Sequence, residues 1–263
     1  LPGSGQQTLT TDAHVIRALS LIRALLAVPS FLTATILGSL AALVLGVIDK
    51  TGDLVLSLAR LWSRVLLGVP GVKVEITMRT PLDPARPYVL MPNHASMVDI
   101  WAMFVAVPVR FRFIAKKQLG AIPLFGWAMR AGRFIFIDRQ NAASARRSID
   151  EAARRIKSGQ SVVIFPEGTR TRDGRLGAFK KGGFHLAIDS GVEIVPVAIR
   201  GSGAVMPPGS PLIRAGTVRL ELDDPIPTAG LGTADREALI ARVRSRIAAM
   251  LGEAETTANA SSR

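Results

Sequence analysis

The longest stretch without a charge runs from Ala24 to Ile48. At about 1.5 Å of rise per residue, a helix of that length exceeds the ~30 Å of a bilayer core. Pro29, Gly38 and Gly46 interrupt the run and predict a kinked or re-entrant helix. It is longer than the apolar core of a cleavable leader, and no small-x-small cleavage site opens a clear mature start. Thr51-Gly52-Asp53 marks a break, and a second helix is expected over Asp53 to Leu67. Leu54, Leu58, Leu61, Trp62 and Val65 share one of its faces, with Arg60 and Arg64 elsewhere. That pattern fits a core-facing amphipathic helix. Arg and Trp next to a long apolar run fit better an interfacial helix, paired with the run as a membrane-embedded hairpin.

From Gly71 the period changes. Val72 to Met78 alternates apolar and polar positions, as a half-buried strand does. Short apolar strands are expected at Tyr88 to Met91, Arg112 to Ala115, Phe134 to Ile137, Ser161 to Phe165 and Ile194 to Ile199. Between them lie helical patterns. Ala142 to Lys157 is one, with Ala145, Ile149, Ala152, Ala153 and Ile156 on one face and Ser158-Gly159 as its stop. Leu239, Ile240, Val243, Ile247 and Leu251 mark a final amphipathic helix. Strands alternating with helices predict a layered α/β domain. The expected organisation is a polar tail over 1–11, a two-helix membrane anchor over 12–67, the α/β domain over 68–251 and a second tail over 252–263.

Composition narrows the partners. The 263 residues carry a net charge of +13, from 33 Lys+Arg against 20 Asp+Glu. A basic excess attracts nucleic acid, anionic lipid surfaces or phosphorylated small molecules. Aromatics make up 5% with a single Tyr, poor material for stacking bases. Nucleic acid is therefore not expected as a partner, and hydrophobic residues at 48% point to lipid. The absence of cysteine excludes disulfides, thiolate metal sites and a Cys nucleophile.

Candidate chemistry concentrates in Pro92-Asn93-His94-Ala95-Ser96-Met97-Val98-Asp99, between a strand and an apolar helix. On a single helix His94 and Asp99 would point about 140° apart. They meet if His94 stands in the loop and Asp99 in the first helical turn. A carboxylate there selects one imidazole tautomer and stabilises the protonated ring, so the histidine can take a proton from an alcohol. The blander alternative is a capping box from Ser96 to Asp99 beside an ordinary loop histidine. Phe165-Pro166-Glu167-Gly168-Thr169-Arg170 follows a buried strand, where ligands gather in open α/β sheets. Gly168 permits close backbone approach, and Thr169 and Arg170 supply donors suited to phosphate. A solvated surface turn is the alternative. Gly132 to Arg139 and Val195-Pro196-Val197, taken singly, read as ordinary strand and turn. No histidine and acidic residues stand at metal-ligand spacing. The Gly-x-Ser-x-Gly elbow of serine hydrolases is absent, and Gly201-Ser202-Gly203 lacks its spacing.

Taken together and in order, Asn93-His94-x-x-x-x-Asp99, Phe134-Ile135-Phe136-Ile137-Asp138-Arg139, Phe165-Pro166-Glu167-Gly168-Thr169-Arg170 and Val195-Pro196-Val197 resemble the four blocks of the glycerolipid acyltransferases. The nearest likeness is to the bacterial 1-acyl-sn-glycerol-3-phosphate (lysophosphatidate) acyltransferases. Ala115-Lys116-Lys117, Ile122 to Trp127 and Phe179 to Gly182 match the connecting text, and Gly183 and His185 depart from it. The resemblance covers Tyr88 to Arg200. It implies a mixed sheet flanked by helices, as in glycerol-3-phosphate acyltransferase, behind an N-terminal membrane-embedded hairpin. It implies His94 and Asp99 as catalytic residues, with Lys116, Arg139, Glu167, Gly168, Thr169 and Arg170 binding substrate. In that scheme the Gly168 N–H is a candidate oxyanion donor and Ser96 a cap, and the acyl group passes directly from acyl-CoA or acyl-carrier protein to a lysophospholipid. Lysophosphatidate is the expected acceptor, with another lysolipid such as lyso-ornithine lipid as the alternative. No metal or cofactor is implied. The expected location is the inner membrane, with the α/β domain facing the cytoplasm and both ends of the hairpin on that side.

Overall fold

Because the apolar strands carry no polar alternation, both faces of their sheet need cover, and the fold supplies it. A computed structural model describes residues 5–138, 142–171 and 174–253. Its centre is a seven-stranded sheet of β1 (Val72–Met78), β2 (Val89–Pro92), β3 (Phe111–Lys116), β4 (Ile135–Ile137), β5 (Ser161–Val163), β6 (Ile194–Arg200) and β7 (Gly216–Leu222). The spatial order is β1-β7-β6-β2-β5-β3-β4. All neighbours pair parallel except β6 with β7, so the sheet is mixed. Adjacent residues divide between two cores. Leu90, Val163, Val195 and Val197 face α2 (Asp53–Gly68) and α3 (Val98–Ala106). Val89, Met91, Val162 and Ile194 face α6 (Ala142–Lys157), α7 (Gly182–Ser190) and α9 (Arg236–Leu251). Short helices α4 (Lys117–Gly120), α5 (Phe125–Ala131) and α8 (Ser202–Val205) complete the connections.

β7 is missing from the strands read off the sequence, although Val218, Leu220 and Leu222 alternate with Arg219 and Glu221. It inserts between β1 and β6, and through it β1 joins the sheet.

The N-terminal segment forms α1 (Gly5–Ile48), one continuous helix through Pro29. It begins within the stretch expected as a tail. A long apolar helix extends cheaply once formed, since propagation costs far less than nucleation. Residues 254–263, most of the expected second tail, lie outside the described residues. Val28–Ile48 is long and apolar enough to cross a membrane, and little of it is buried against the protein. The expected interruption at Gly46 is instead a contact. A Cβ there would stand 2.5 Å from the Ala131 Cβ, so only glycine lets α5 approach this closely.

α2 packs one face on the domain, as the core-facing reading expects, and leaves other apolar residues exposed. Val55, Leu56, Ser63, Leu66 and Leu67 are buried against the domain, while Leu54, Leu61 and Val65 are exposed. Arg60 and Trp62, the residues that mark it as interfacial in the sequence, both bond within the protein. Arg60 Nη2 donates to the Val107 and Val109 carbonyls at 3.0 and 2.8 Å, closing the end of α3. Trp62 Nε1 donates to Thr35 Oγ1 (3.2 Å), tying α2 to α1. Unsatisfied carbonyls at a helix end and a buried indole N–H both demand partners, and here the partners lie within the protein.

Candidate active site

β2, β3, β4 and β5 run parallel, so their C-terminal ends open on one edge of the sheet. There the sequence blocks converge, as ligand-binding loops do in open α/β sheets. β2 delivers Asn93 and His94. The Asn93 side chain continues the ladder where the strand ends, accepting from Ile199 N–H (2.7 Å) and donating to Ile199 C=O (3.1 Å). That pairing fixes the strand on β6 immediately before the histidine.

His94 stands in the loop and Asp99 in the first turn of α3. Asp99 Oδ2 lies 2.8 Å from His94 Nδ1 and accepts the Ala95 and Ser96 N–H groups, each also at 2.8 Å. The capping interaction and the histidine contact therefore use one oxygen. A carboxylate only accepts, so Nδ1 carries the proton and the Nε2 lone pair is left as the base. Among the described residues nothing in the protein hydrogen-bonds Nε2, and His94 lines a cavity. Phe165 stacks on the imidazole at 3.8 Å between centroids and 18° between planes. Ser96 Oγ donates to the Met206 carbonyl at 2.8 Å and accepts from Val98 N–H, so the hydroxyl is engaged in holding the turn before α3.

The loop after β5 clamps the histidine from behind. Glu167 is 3% exposed; its Oε1 accepts the His94 N–H (2.7 Å) and its Oε2 accepts the Gly177 N–H (2.9 Å). Burial pushes its pKa above the ordinary carboxylate value, opposed by those two N–H bonds. The Thr171 N–H donates to the His94 carbonyl (2.9 Å). Gly168 adopts φ +74° and its N–H donates to the Phe165 carbonyl (3.1 Å). The expected oxyanion donor is thus engaged in closing its own turn.

The cavity holds about 380 Å³. Its inner wall is apolar, from Met97, Trp101, Phe104 and Phe113 of the domain and from Gly38 and Ala42 of α1. Lys116 at the end of β3, with Gly168, Thr169 and Arg170, lines it as well. Lys116 and Arg170 are exposed, and no ion-pair partner holds either among the described residues. Glu167 is not among the lining residues, and Arg139 lies outside the described residues. Val195-Pro196-Val197 is buried within β6, beneath the His94 loop, and packs rather than binds.

The geometry is thus an imidazole paired with a carboxylate on the wall of a largely apolar cavity, with two cations that have no ion-pair partner among the described residues lining the same cavity. It can deprotonate a hydroxyl while holding an anion and an alkyl chain. Residues 73–200 match the protein-family model described as Acyltransferase. Over 171 residues the chain is 36% identical to a chloroplastic 1-acyl-sn-glycerol-3-phosphate acyltransferase of Arabidopsis thaliana, covering 64% of this chain and 48% of the relative. It is 33% identical over 187 residues to the human 1-acyl-sn-glycerol-3-phosphate acyltransferase alpha, covering 71% of this chain and 66% of that one. The chain spans about half the length of the plant relatives it matches. The crystal structure of the 1-acyl-sn-glycerophosphate acyltransferase PlsC from Thermotoga maritima superposes with a TM-score of 0.75 at 26% identity, covering 89% of this chain and 97% of that chain.

Proposed function

The chain belongs to the acyltransferase family, and from that premise we propose that it acylates the sn-2 hydroxyl of lysophosphatidate to give phosphatidate, with acyl-CoA or acyl-carrier protein as donor. The observation that carries this reading is the His94–Asp99 pair beside an apolar cavity that Lys116 and Arg170 also line. Nε2 of His94 takes the proton of the acceptor hydroxyl as its oxygen attacks the thioester carbonyl carbon. The C–S bond then breaks, and the imidazolium returns the proton to the departing thiolate. Asp99 stabilises the imidazolium without itself being protonated. Lys116 and Arg170 hold the acceptor phosphate, with Arg139 as a further candidate, while Thr169 and Gly168 shape that rim. Glu167 acts on the site through the backbone of His94. The apolar cavity takes an acyl chain, and Val28–Ile48 sets the site at the bilayer, with the domain on the cytoplasmic side.

The test is acyl transfer by purified protein, with lysophosphatidate, lysophosphatidylcholine and lyso-ornithine lipid compared as acceptors. Lysophosphatidate is expected to be preferred, with the preference lost in Arg170→Ala. Turnover on a lysolipid without phosphate, and none on lysophosphatidate, would overturn the assignment.

A further inference from the structure

A second cavity, of about 480 Å³, opens on the far side of Phe134 and shares only that residue with the first. Arg130, Arg133, Arg147 and Arg155 surround it, with Glu151 as the single acid among the lining residues. The acid is spent locally, accepting Arg155 Nε (2.8 Å) and Arg154 Nη2 (2.6 Å). Arg155 Nη1 donates to the Arg133 carbonyl (2.9 Å), and Arg133 Nε donates to the Lys50 carbonyl (3.1 Å). The Arg130 guanidinium rests 5.7 Å over the Phe136 ring. The remaining donors of Arg130, Arg133 and Arg147 meet no acceptor among the described residues. Four guanidinium groups gathered around one crevice repel one another unless an anion joins them. Planar forks converging in this way match a phosphate. Arg133 also holds φ +59°, a conformation unusual for a side-chain-bearing residue. Such strain persists only where its surroundings impose it, and it clusters at ligand-binding positions.

The place of the crevice identifies the source of the phosphate. Arg133 is bonded to Lys50, two residues beyond the end of the apolar helix at Ile48, and α5 packs on that helix at Gly46. On α5, Trp127 is 52% exposed one turn before Arg130, and Ile122 and Leu119 are exposed just upstream. An apolar patch ending in Trp and then Arg is the sequence of side chains found from acyl region to headgroup region at a membrane interface.

We propose that this crevice is a second anion site, separate from the transfer site, which binds the phosphate of an anionic bilayer phospholipid and seats α5 and α6 on the headgroup layer. It rests on the reading of Val28–Ile48 as membrane-embedded, not on the transfer chemistry.

The test is thermal unfolding of the full chain in neutral detergent, titrated separately with dihexanoyl phosphatidylglycerol, dihexanoyl phosphatidylcholine and inorganic phosphate. The short-chain anionic lipid should raise Tm saturably, and more than either other ligand. Its apparent Kd should weaken about ten- to a hundredfold in Arg130→Gln/Arg147→Gln, whose exposed side chains leave the unliganded Tm near that of the parent. His94→Ala should keep the full shift, so a failure of the proposed chemistry leaves this measurement standing. Lys157→Gln, an exposed cation on the same helix outside the crevice, should also keep it. Equal weakening by Lys157→Gln would reduce the effect to diffuse charge. Loss in Arg170→Ala with retention in the crevice variant would place the lipid in the transfer site. An equal shift with inorganic phosphate would make the ligand a free anion. A crevice variant with unchanged lipid titration, but a raised KM for acyl-carrier protein, would make the crevice a docking face for an acidic protein. Each of these four results overturns the proposal.

Discussion

Asp99 Oδ2 gathers three donors, while Oδ1 is buried without a protein partner among the described residues. That asymmetry sharpens what substitution should do. His94→Ala removes the base and should lower kcat by about 10²–10⁴ with little change in Tm. Asp99→Asn can keep its oxygen on the three donors, which places its NH₂ where Oδ1 now stands, buried and without an acceptor. It should therefore lose both turnover and about 1–3 kcal/mol of stability. A variant that melts early yet turns over normally would reduce Asp99 to a cap. Glu167→Gln carries a second prediction. One of the two N–H groups that Glu167 now satisfies would face an amide donor, costing about 1–3 kcal/mol and moving the His94 backbone. The pH dependence has a definite sign. Burial raises the Glu167 pKa in the folded state above its unfolded value. Its contribution is then fully present below the ordinary glutamate range and is lost as pH rises through the raised value. The Tm of the parent should accordingly fall relative to Glu167→Gln as pH rises from the ordinary carboxylate range upward. Parallel Tm curves for the two proteins would remove the burial argument.

Helix α1 packs on the rest of the protein through Phe31, Ala34, Ala42 and Leu45, and its Thr35 accepts from the Trp62 indole. The Gly46–Ala131 approach leaves no room for a side chain, so Gly46→Leu should force α5 away from α1 and cost about 1–3 kcal/mol. Differential scanning in detergent measures this; an unchanged Tm would mean that α1 and α5 separate freely. On α2, Arg60, which the sequence puts on an interfacial helix, donates to the Val107 and Val109 carbonyls just beyond α3. Periodicity tells which face of a helix is apolar. It does not tell what covers that face: α2 buries Val55, Leu56, Leu66 and Leu67 and leaves the apolar Leu54, Leu61 and Val65 exposed.

For the whole molecule, the consequence is that the N-terminal helix walls the cavity in which His94 stands. Gly38 and Ala42 line the same cavity as His94 and Arg170. Removing residues 1–48 should abolish transfer even to detergent-dispersed acceptor from a soluble short-chain thioester. A truncated protein that turns over at the parental rate would make α1 a membrane anchor alone. The sequence determined what is local. Alternating and continuous apolar runs carry the period of each element, so most strands and the main helices were legible, and strand-to-loop junctions placed His94 and Arg170 at strand ends. The four ordered blocks, around His94, Asp138, Glu167 and Val195, carry the resemblance to the family. β7 was equally legible in its alternation, but its partner β1 lies far upstream, and pairing is not a property of either segment. Packing alone settles that Glu167 turns both oxygens to backbone N–H groups, that Phe165 covers the imidazole and that α1 walls the cavity. Each of these depends on contacts between segments distant in the chain, and a buried polar group takes its partners from whatever the packing puts within reach.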